Sequence, residues 1–255
     1  GGQILVTDVV RLLAGTRGAH EFVPRGDLEL KGLTTPITTC EVVWRLPAVP
    51  QIPLPDRFVV SAGDFVGRDS AREVLVRAYK EATAGRRQFV VIAGEPGIGK
   101  SRLSREAVAT MYDTGAVVLA GRCEEHLGGP FQLWIGVLAH LIAHMPDEVI
   151  ADHVATHGSE IVKVVPDVRQ RFPGIDFPPR PAADFERHRL FEAIAALLIA
   201  ATADGPLVVV LDDLQWADVP SLQLLRHLVR IGPEAPILLI GTYRDAELDG
   251  SPLGE

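Results

Sequence analysis

The sequence predicts an α/β fold in which helices flank a mostly parallel sheet, preceded by a small α+β unit. After residue 63, four short runs of continuous apolar residues alternate with helical segments, which is typical of parallel strands joined by helical crossovers. A glycine-rich run lies directly between the first of these strands and the helix that follows it. Such a turn presents backbone N–H groups at a helix N-terminus and favours anions there.

Residues 1–47 predict the α+β unit. Thr7 can cap a short helix that ends near Gly15, and strand-like runs follow at 21–23, 27–30 and 37–44. A segment this short does not reliably bury a core of its own, so we expect its strands to lack partners.

Four prolines between residues 47 and 55 predict a domain boundary, because such a density of proline stiffens the chain and interrupts periodic structure. We interpret residues 48–62 as a proline-rich linker and residues 63–255 as the second domain. The chain begins with Gly1, Gly2 and Gln3 and has no initiator methionine, so we expect a fragment of a longer protein.

The second domain contains the alternating elements. A capping box, Ser70 to Glu73, opens its first helix, and Gly85 ends that helix. The predicted strands are 89–93, 116–120, 207–211 and 237–240, and the predicted helices are 70–84, 100–112, 189–203 and 221–231. The run 89–93 has the composition of a strand that is buried on both faces. Residues 122–186 do not continue the alternation, and we interpret them as a mostly helical insertion.

The glycine-rich run, GEPGIGKS at residues 94–101, matches the pattern GxxxxGK[ST] and has the strand–turn–helix context of a P-loop. Its backbone N–H groups can surround a phosphate, Lys100 can bind the β- and γ-phosphate oxygens, and the hydroxyl of Ser101 can bind Mg²⁺. The sequence therefore predicts ATP or another purine nucleoside triphosphate, with Mg²⁺, as the ligand. The predicted nucleotide-binding residues of this run are Gly94, Glu95, Pro96, Gly97, Ile98, Gly99, Lys100, Ser101 and Arg102.

Two carboxylates follow the predicted strand 207–211. Phosphoryl transfer depends on positioning and on neutralising charge, so a second group of residues must hold the metal and orient water. We assign Asp212 to Mg²⁺ and Asp213 to polarising the attacking water. The ordinary alternative is a pair of acidic residues that simply ends a strand.

Residues 63–255 resemble the nucleotide-binding domain of the signal-transduction ATPases with numerous domains (STAND), relatives of the AAA+ proteins. The matching segments are FVGR at 65–68, GEPGIGKSRL at 94–103, LDDLQWAD at 211–218 and GTYR at 241–244. The resemblance implies a three-layer P-loop NTPase fold, an adenine side lined by Val66 and Gly67, and Arg244 as the catalytic sensor of the γ-phosphate. It also implies a fifth strand and a helical lid, which we expect to be missing here. Faster AAA+ motors often carry the longer Glu in place of Asp213, which implies slow turnover.

Residues 1–47 resemble the closing section of class III adenylyl and guanylyl cyclase domains. The matching segments are GGQILV at 1–6, LKGL at 30–33 and VVW at 42–44. By this resemblance Lys31 falls where the family can contact the triphosphate, although the more ordinary interpretation is a solvent-facing strand lysine. The family's metal-binding carboxylates would lie upstream, so we do not expect this segment alone to cyclise ATP.

The composition limits the partners. The net charge of −8 argues against broad attraction to nucleic acid, and no apolar run is long enough to span a bilayer. Cys40 and Cys123 suggest neither a disulfide framework nor a zinc site, so a reducing, cytoplasmic location fits best. The pairs His140/His144 and His153/His157 are interpreted as ordinary helix faces, and His188 as a polar residue at a helix start.

The leading hypothesis is an ATPase switch. ATP and Mg²⁺ binding, with slow hydrolysis, would change how this domain packs against other domains of the same polypeptide in a cyclase-linked regulator. Two alternatives stay open: an adenylate cyclase that makes cAMP in the full-length protein, and an AAA+ ATPase of the origin-binding type that acts on DNA. Direct nucleic-acid binding and membrane binding are not expected, and the choice between ATP and GTP is open.

Overall fold

The computed structural model of the chain describes residues 4–7, 9–10, 21–28, 36–43, 52–59, 67–125, 129–178, 186–230, 235–245 and 252. The chain divides into two compact units, residues 1–50 and residues 51–255.

The first unit contains a three-stranded antiparallel sheet. Its strands are β1 (Ile4–Thr7), β2 (Glu21–Leu28) and β3 (Ile37–Val43), in the order β1-β3-β2. The prediction that these strands lack partners is therefore wrong, because they satisfy their backbone groups by pairing with one another. The predicted runs 21–23 and 27–30 form one continuous strand with a register shift between Pro24 and Gly26, and Gly26 adopts a φ of +83° there. Lys31 lies outside the described residues.

The second unit contains a parallel four-stranded sheet with the order β4-β7-β6-β5. Its strands are β4 (Gln88–Ala93), β5 (Val117–Arg122), β6 (Leu207–Asp212) and β7 (Ile237–Tyr243). The inner strand β6 is buried along its whole length. Strand β4 pairs only with β7 among the described strands, and Phe89 and Val91 on one of its faces are 37% and 42% exposed. The prediction of burial on both faces is wrong for this edge strand.

Seven α-helices are described in this unit. They are α1 (Asp69–Thr83), α2 (Lys100–Asp113), α3 (Gln132–His144), α4 (Asp147–Ile161), α5 (Val168–Arg171), α6 (Glu186–Ala200) and α7 (Val219–Arg230). Helix α1 starts one residue before the predicted capping box and has no side-chain cap. Helices α3 to α5 lie in the predicted helical insertion. Over the described ranges, no helix combines the length and the apolar character needed to cross a membrane.

Two hydrophobic clusters lie on opposite faces of the parallel sheet. Alternate strand residues point to opposite faces, so Leu119 and Val209 join one cluster while Val118 and Val208 join the other. Helices α3 to α7 contribute to the first cluster, and α1 and α2 contribute to the second. The result is a three-layer α/β unit, as the sequence predicts. Gly121 allows α3 to approach β5, since a Cβ there would lie 1.9 Å from the carbonyl oxygen of Leu133.

Residues 52–59 correct the predicted linker. They fall inside the range 48–62, yet Ile52 and Phe58 are buried in the two clusters of the second unit. The carbonyl oxygen of Pro53 lies 2.8 Å from Nε2 of His140, and Asp56–Phe58 forms a single 3₁₀ turn. The apolar side chains of this stretch are stabilised by burial against the second unit. The density of prolines alone did not predict this packing. The segment brings Arg57 to the carboxyl end of the sheet.

Candidate nucleotide-binding site

The P-loop connects β4 to α2 at the carboxyl end of the parallel sheet. Gly97 and Gly99 have φ values of +76° and +94°, a region that side chains disfavour, so glycine permits this turn. Lys100 is only 8% exposed, and its Nζ donates to the carbonyl oxygens of Gly94 at 2.6 Å and Glu95 at 2.9 Å. The loop is thus folded around the ammonium group.

The rest of the predicted P-loop set surrounds this turn. Residues 95–98 are exposed, and Ser101 and Arg102 are exposed in the first turn of α2. Gly67 has a φ of +84°, and the guanidinium of the next residue, Arg68, donates to the carbonyl oxygen of Ile98. Gly67 therefore lies in a segment tied to the P-loop. Val66 lies outside the described residues.

Asp212 ends β6 and is 4% exposed. Its Oδ1 accepts a hydrogen bond of 2.9 Å from Thr242 on β7, and its Oδ2 forms an ion pair with Arg57. The Oγ1 of Thr242 also accepts the backbone N–H of Asp213 at 3.2 Å. One hydroxyl therefore fixes both acidic positions, and both carboxylates stand next to each other where the sequence places them.

Asp213 adopts a left-handed conformation with a φ of +59°, which Asp tolerates better than most residues. Its carboxylate lies 3.0 Å from Nε of Arg122 and 3.9 Å from Nε of Arg244. Gln215 donates to the same carboxylate at 3.4 Å and accepts the backbone N–H of Arg244 at 3.2 Å. The guanidinium of Arg244 lies 4.6 Å from the centre of the Trp216 ring. Arg244 thus lies close to the carboxylate of Asp213.

A cavity of about 190 Å³ brings the two predicted metal ligands together. Its lining residues are Arg57, Phe58, Ser101, Arg105, Arg122, Asp212 and Asp213. Burial lowers the pKa of Arg57. Repulsion from Arg122 and Arg105 lowers this pKa further, and attraction to Asp213 opposes the shift. The cavity therefore combines oxygen ligands for a hard cation with guanidinium groups that suit a polyanion. A larger cavity of about 1090 Å³ elsewhere in the unit contains none of the predicted site residues.

Arg57, Arg105, Arg122, Thr242 and Gln215 were not predicted as site residues. Arg57 is 155 positions from Asp212 in the chain, and no spacing pattern connects them. Thr242 lies in the segment GTYR and Gln215 lies in the segment LDDLQWAD, so these segments could have indicated both as site residues.

Asp218, the last residue of the LDDLQWAD motif, has a structural role. Its carboxylate accepts the backbone N–H groups of Phe131 at 3.1 Å, Gln132 at 3.3 Å and Ser221 at 2.8 Å. It thereby satisfies backbone donors at the starts of both α3 and α7. The nearby thiol of Cys123 is buried, which raises its pKa to about 12, with smaller contributions from Asp218 and Asp213. The neutral thiol is a poor nucleophile.

A parallel sheet with a P-loop at its carboxyl end, and with two carboxylates where the second strand over from the P-loop strand ends, defines a P-loop nucleotide-binding domain. Residues 64–240 match the model of the family described as AAA ATPase domain, and the chain belongs to that family. Membership implies nucleotide binding and hydrolysis, typically with Mg²⁺.

One similar protein is an uncharacterized protein of Rhizobium meliloti (strain 1021). The two are 28% identical over 261 residues, which cover 95% of this chain and 24% of the relative. The chain thus spans about a quarter of the length of the relative that it matches.

Proposed function

We propose that this chain binds ATP with Mg²⁺, hydrolyses it slowly, and acts as a nucleotide-dependent switch within a larger polypeptide. The observation that carries the proposal is the meeting of Ser101, Asp212 and Asp213 in one cavity at the P-loop end of the sheet. Ligands of parallel α/β sheets bind at this end, where crossovers leave a crevice.

The P-loop would hold the phosphates. Its backbone N–H groups and the N-terminus of α2 favour the β-phosphate, and Lys100 would exchange its two carbonyl contacts for β- and γ-phosphate oxygens. Gly67, next to Arg68, would lie on the adenine side together with Val66. Arg102, which follows Ser101, would stand beside the phosphates at the start of the helix.

The donor set fits Mg²⁺, which prefers hydroxyl, carboxylate and water oxygens. The hydroxyl of Ser101 and the carboxylate of Asp212 would hold the ion, and Thr242 keeps that carboxylate in place. When bound, Mg²⁺ neutralises charge on the β- and γ-phosphates. Asp212 must first give up its ion pair with Arg57.

Asp213 would orient the attacking water and accept its proton, while Arg244 would contact the γ-phosphate. Arg122 and Gln215 already engage the Asp213 carboxylate, so these contacts must rearrange before Asp213 can orient a water molecule. This arrangement supports slow turnover, which suits a switch better than a motor.

Two further observations support the proposal that this chain is part of a larger polypeptide. The chain covers a quarter of its relative, which favours neighbouring domains, and residues 1–47 carry the cyclase-like segments. We therefore include a cyclase-linked polypeptide in the proposal. Formation of cAMP by the full-length parent, compared with and without an intact P-loop, tests that link.

The direct test measures ATP and GTP binding to the chain by calorimetry with and without Mg²⁺, followed by phosphate release. We expect Mg²⁺-dependent ATP binding and a low rate of release. If neither ATP nor GTP binds, the proposal is wrong. A DNA mobility-shift assay at several salt concentrations on the same sample separates the proposed switch, which should not shift DNA, from a DNA-associated ATPase, which should.

Arg57→Gln is expected to raise the apparent affinity for Mg²⁺–ATP, on the order of tenfold, or about 1.4 kcal/mol. Arg57 neutralises a buried carboxylate that the metal also needs, so its loss leaves Asp212 uncompensated until the metal binds. The variant should also be less stable than the parent without nucleotide and gain more stability from Mg²⁺–ATP, as measured by thermal unfolding.

Arg86→Gln is the matched control, because it removes an exposed ion pair with Glu81 away from the site. A drop in Mg²⁺–ATP affinity in Arg57→Gln would show that Arg57 binds the phosphates and does not compete with the metal.

A further inference from the structure

A cluster of two histidines and one carboxylate lies between α6 and α7, apart from the proposed nucleotide site. His188 and Glu192 are four residues apart on α6, and His227 faces them from α7. One ligand atom from each residue lies within 4.8 Å of the other two. Glu192 Oε1 is 3.1 Å from Nε2 of His227 and 4.0 Å from Nε2 of His188.

These distances are close to those of a bound metal. A tetrahedral zinc ion with bonds of about 2.0–2.2 Å separates its ligand atoms by roughly 3.3–3.6 Å. The separations of 3.1 Å and 4.0 Å from Glu192 bracket that range, and a nitrogen of each imidazole lies within 4.8 Å of the other, so side-chain rotations would bring all three atoms onto one ion. We propose that His188, Glu192 and His227 bind one divalent cation of the zinc type, with water at the fourth position.

Contacts around the cluster hold it in place. Nη1 of Arg187 donates to Oε1 of Gln223 at 2.8 Å, which links α6 to α7 one turn away from His227. The His227 ring lies 5.4 Å from the ring of Phe191 and 5.9 Å from that of His188. The side chain of His227 is 21% exposed, whereas His188 and Glu192 are mostly exposed. The cluster is therefore closed on the α7 side and open to an entering ion.

The charges also suit a cation. Glu192 supplies one negative charge, both imidazoles are neutral ligands once deprotonated, and the Arg187 guanidinium is engaged by Gln223. The ion would fasten the helix that precedes β6 to the helix that follows it. Helix α6 leads into the strand that ends at Asp212, so the site would brace the elements on both sides of that strand.

The chain offers its own controls. The rings of His140 and His144 lie 4.4 Å apart on α3, and those of His153 and His157 lie 4.8 Å apart on α4. In the described part of the chain, neither pair belongs to a cluster of three metal-binding side chains. Two histidines one turn apart are therefore present on α3 and on α4 without a third ligand, whereas His188 and His227 face each other from two helices and have a carboxylate beside them.

The test uses the full chain, freed of metal, and titrates Zn²⁺ in competition with a chromophoric chelator. We expect one zinc ion per chain, and at least about tenfold weaker binding in His227→Gln and in Glu192→Gln, because each variant removes one of three ligands. Co²⁺ in place of zinc should give the intense visible bands of a four-coordinate ion. The variant His140→Gln should bind zinc like the parent.

Equal zinc affinity of the parent, His227→Gln and Glu192→Gln would overturn the proposal, and so would a parent that binds no zinc. Glu192 is exposed, so its substitution leaves the fold intact and separates a lost ligand from misfolding, which circular dichroism checks. The result does not depend on ATP binding, because none of the three residues lines the cavity at Asp212.

Discussion

Lys100→Ala is expected to abolish most of the ATP affinity of the chain. Lys100 is 8% exposed, and its ammonium group lies inside the P-loop, where it donates to two carbonyl oxygens. Hydrogen bonds to charged groups contribute about 1.5–3 kcal/mol each, so the loss of two corresponds to a drop on the order of a hundredfold or more. Calorimetry with ATP and Mg²⁺ measures the change.

Lys80→Ala serves as the control, since Lys80 is an exposed lysine on α1. Thermal unfolding of both variants should stay close to that of the parent, because the Lys100 side chain contacts the loop and contributes little to either hydrophobic cluster. If Lys100→Ala binds ATP as tightly as the parent, the P-loop assignment is wrong.

Asp213→Asn is expected to keep Mg²⁺–ATP binding and to depress hydrolysis. The amide has nearly the shape of the carboxylate and tolerates the left-handed backbone at this position, yet it cannot take a proton from water. General base catalysis typically contributes 10²- to 10⁴-fold, so phosphate release should fall by about that factor. Binding by calorimetry and phosphate release are measured on the same preparation.

Asp176→Asn is the control for this substitution, because Asp176 is exposed and outside the candidate site. Unchanged turnover in Asp213→Asn would remove Asp213 from the proposed role. A parallel loss of ATP binding would point instead to a disturbed Arg122 and Gln215 network.

Local patterns predicted the parallel sheet and the P-loop well. Continuous apolar runs predict strands inside a sheet. The glycines, Lys100 and Ser101 lie within one short turn, so their spacing is visible in the sequence itself. The two carboxylates were also readable, because they follow a strand that is buried throughout.

Longer-range features escaped prediction. Strand β4 is as apolar as an inner strand, and its position at the edge of the described sheet follows only from the pairing order. The pairing of β1, β2 and β3 depends on contacts between strands that no local pattern specifies. Arg57 reaches Asp212 because Ile52 and Phe58 anchor its segment, and the prolines around them hid that anchoring.

The ion pair between Arg57 and Asp212 links two events through thermodynamic reciprocity. Segment 52–59 is the first described part of the second unit, so a change that loosens its anchoring also moves the Arg57 guanidinium away from Asp212, the proposed metal ligand. A cation that captures Asp212 in turn weakens the hold on the segment by the same free energy. At the proposed Mg²⁺ site, release of segment 52–59 and magnesium binding would therefore favour each other, because both depend on the ion pair between Arg57 and Asp212.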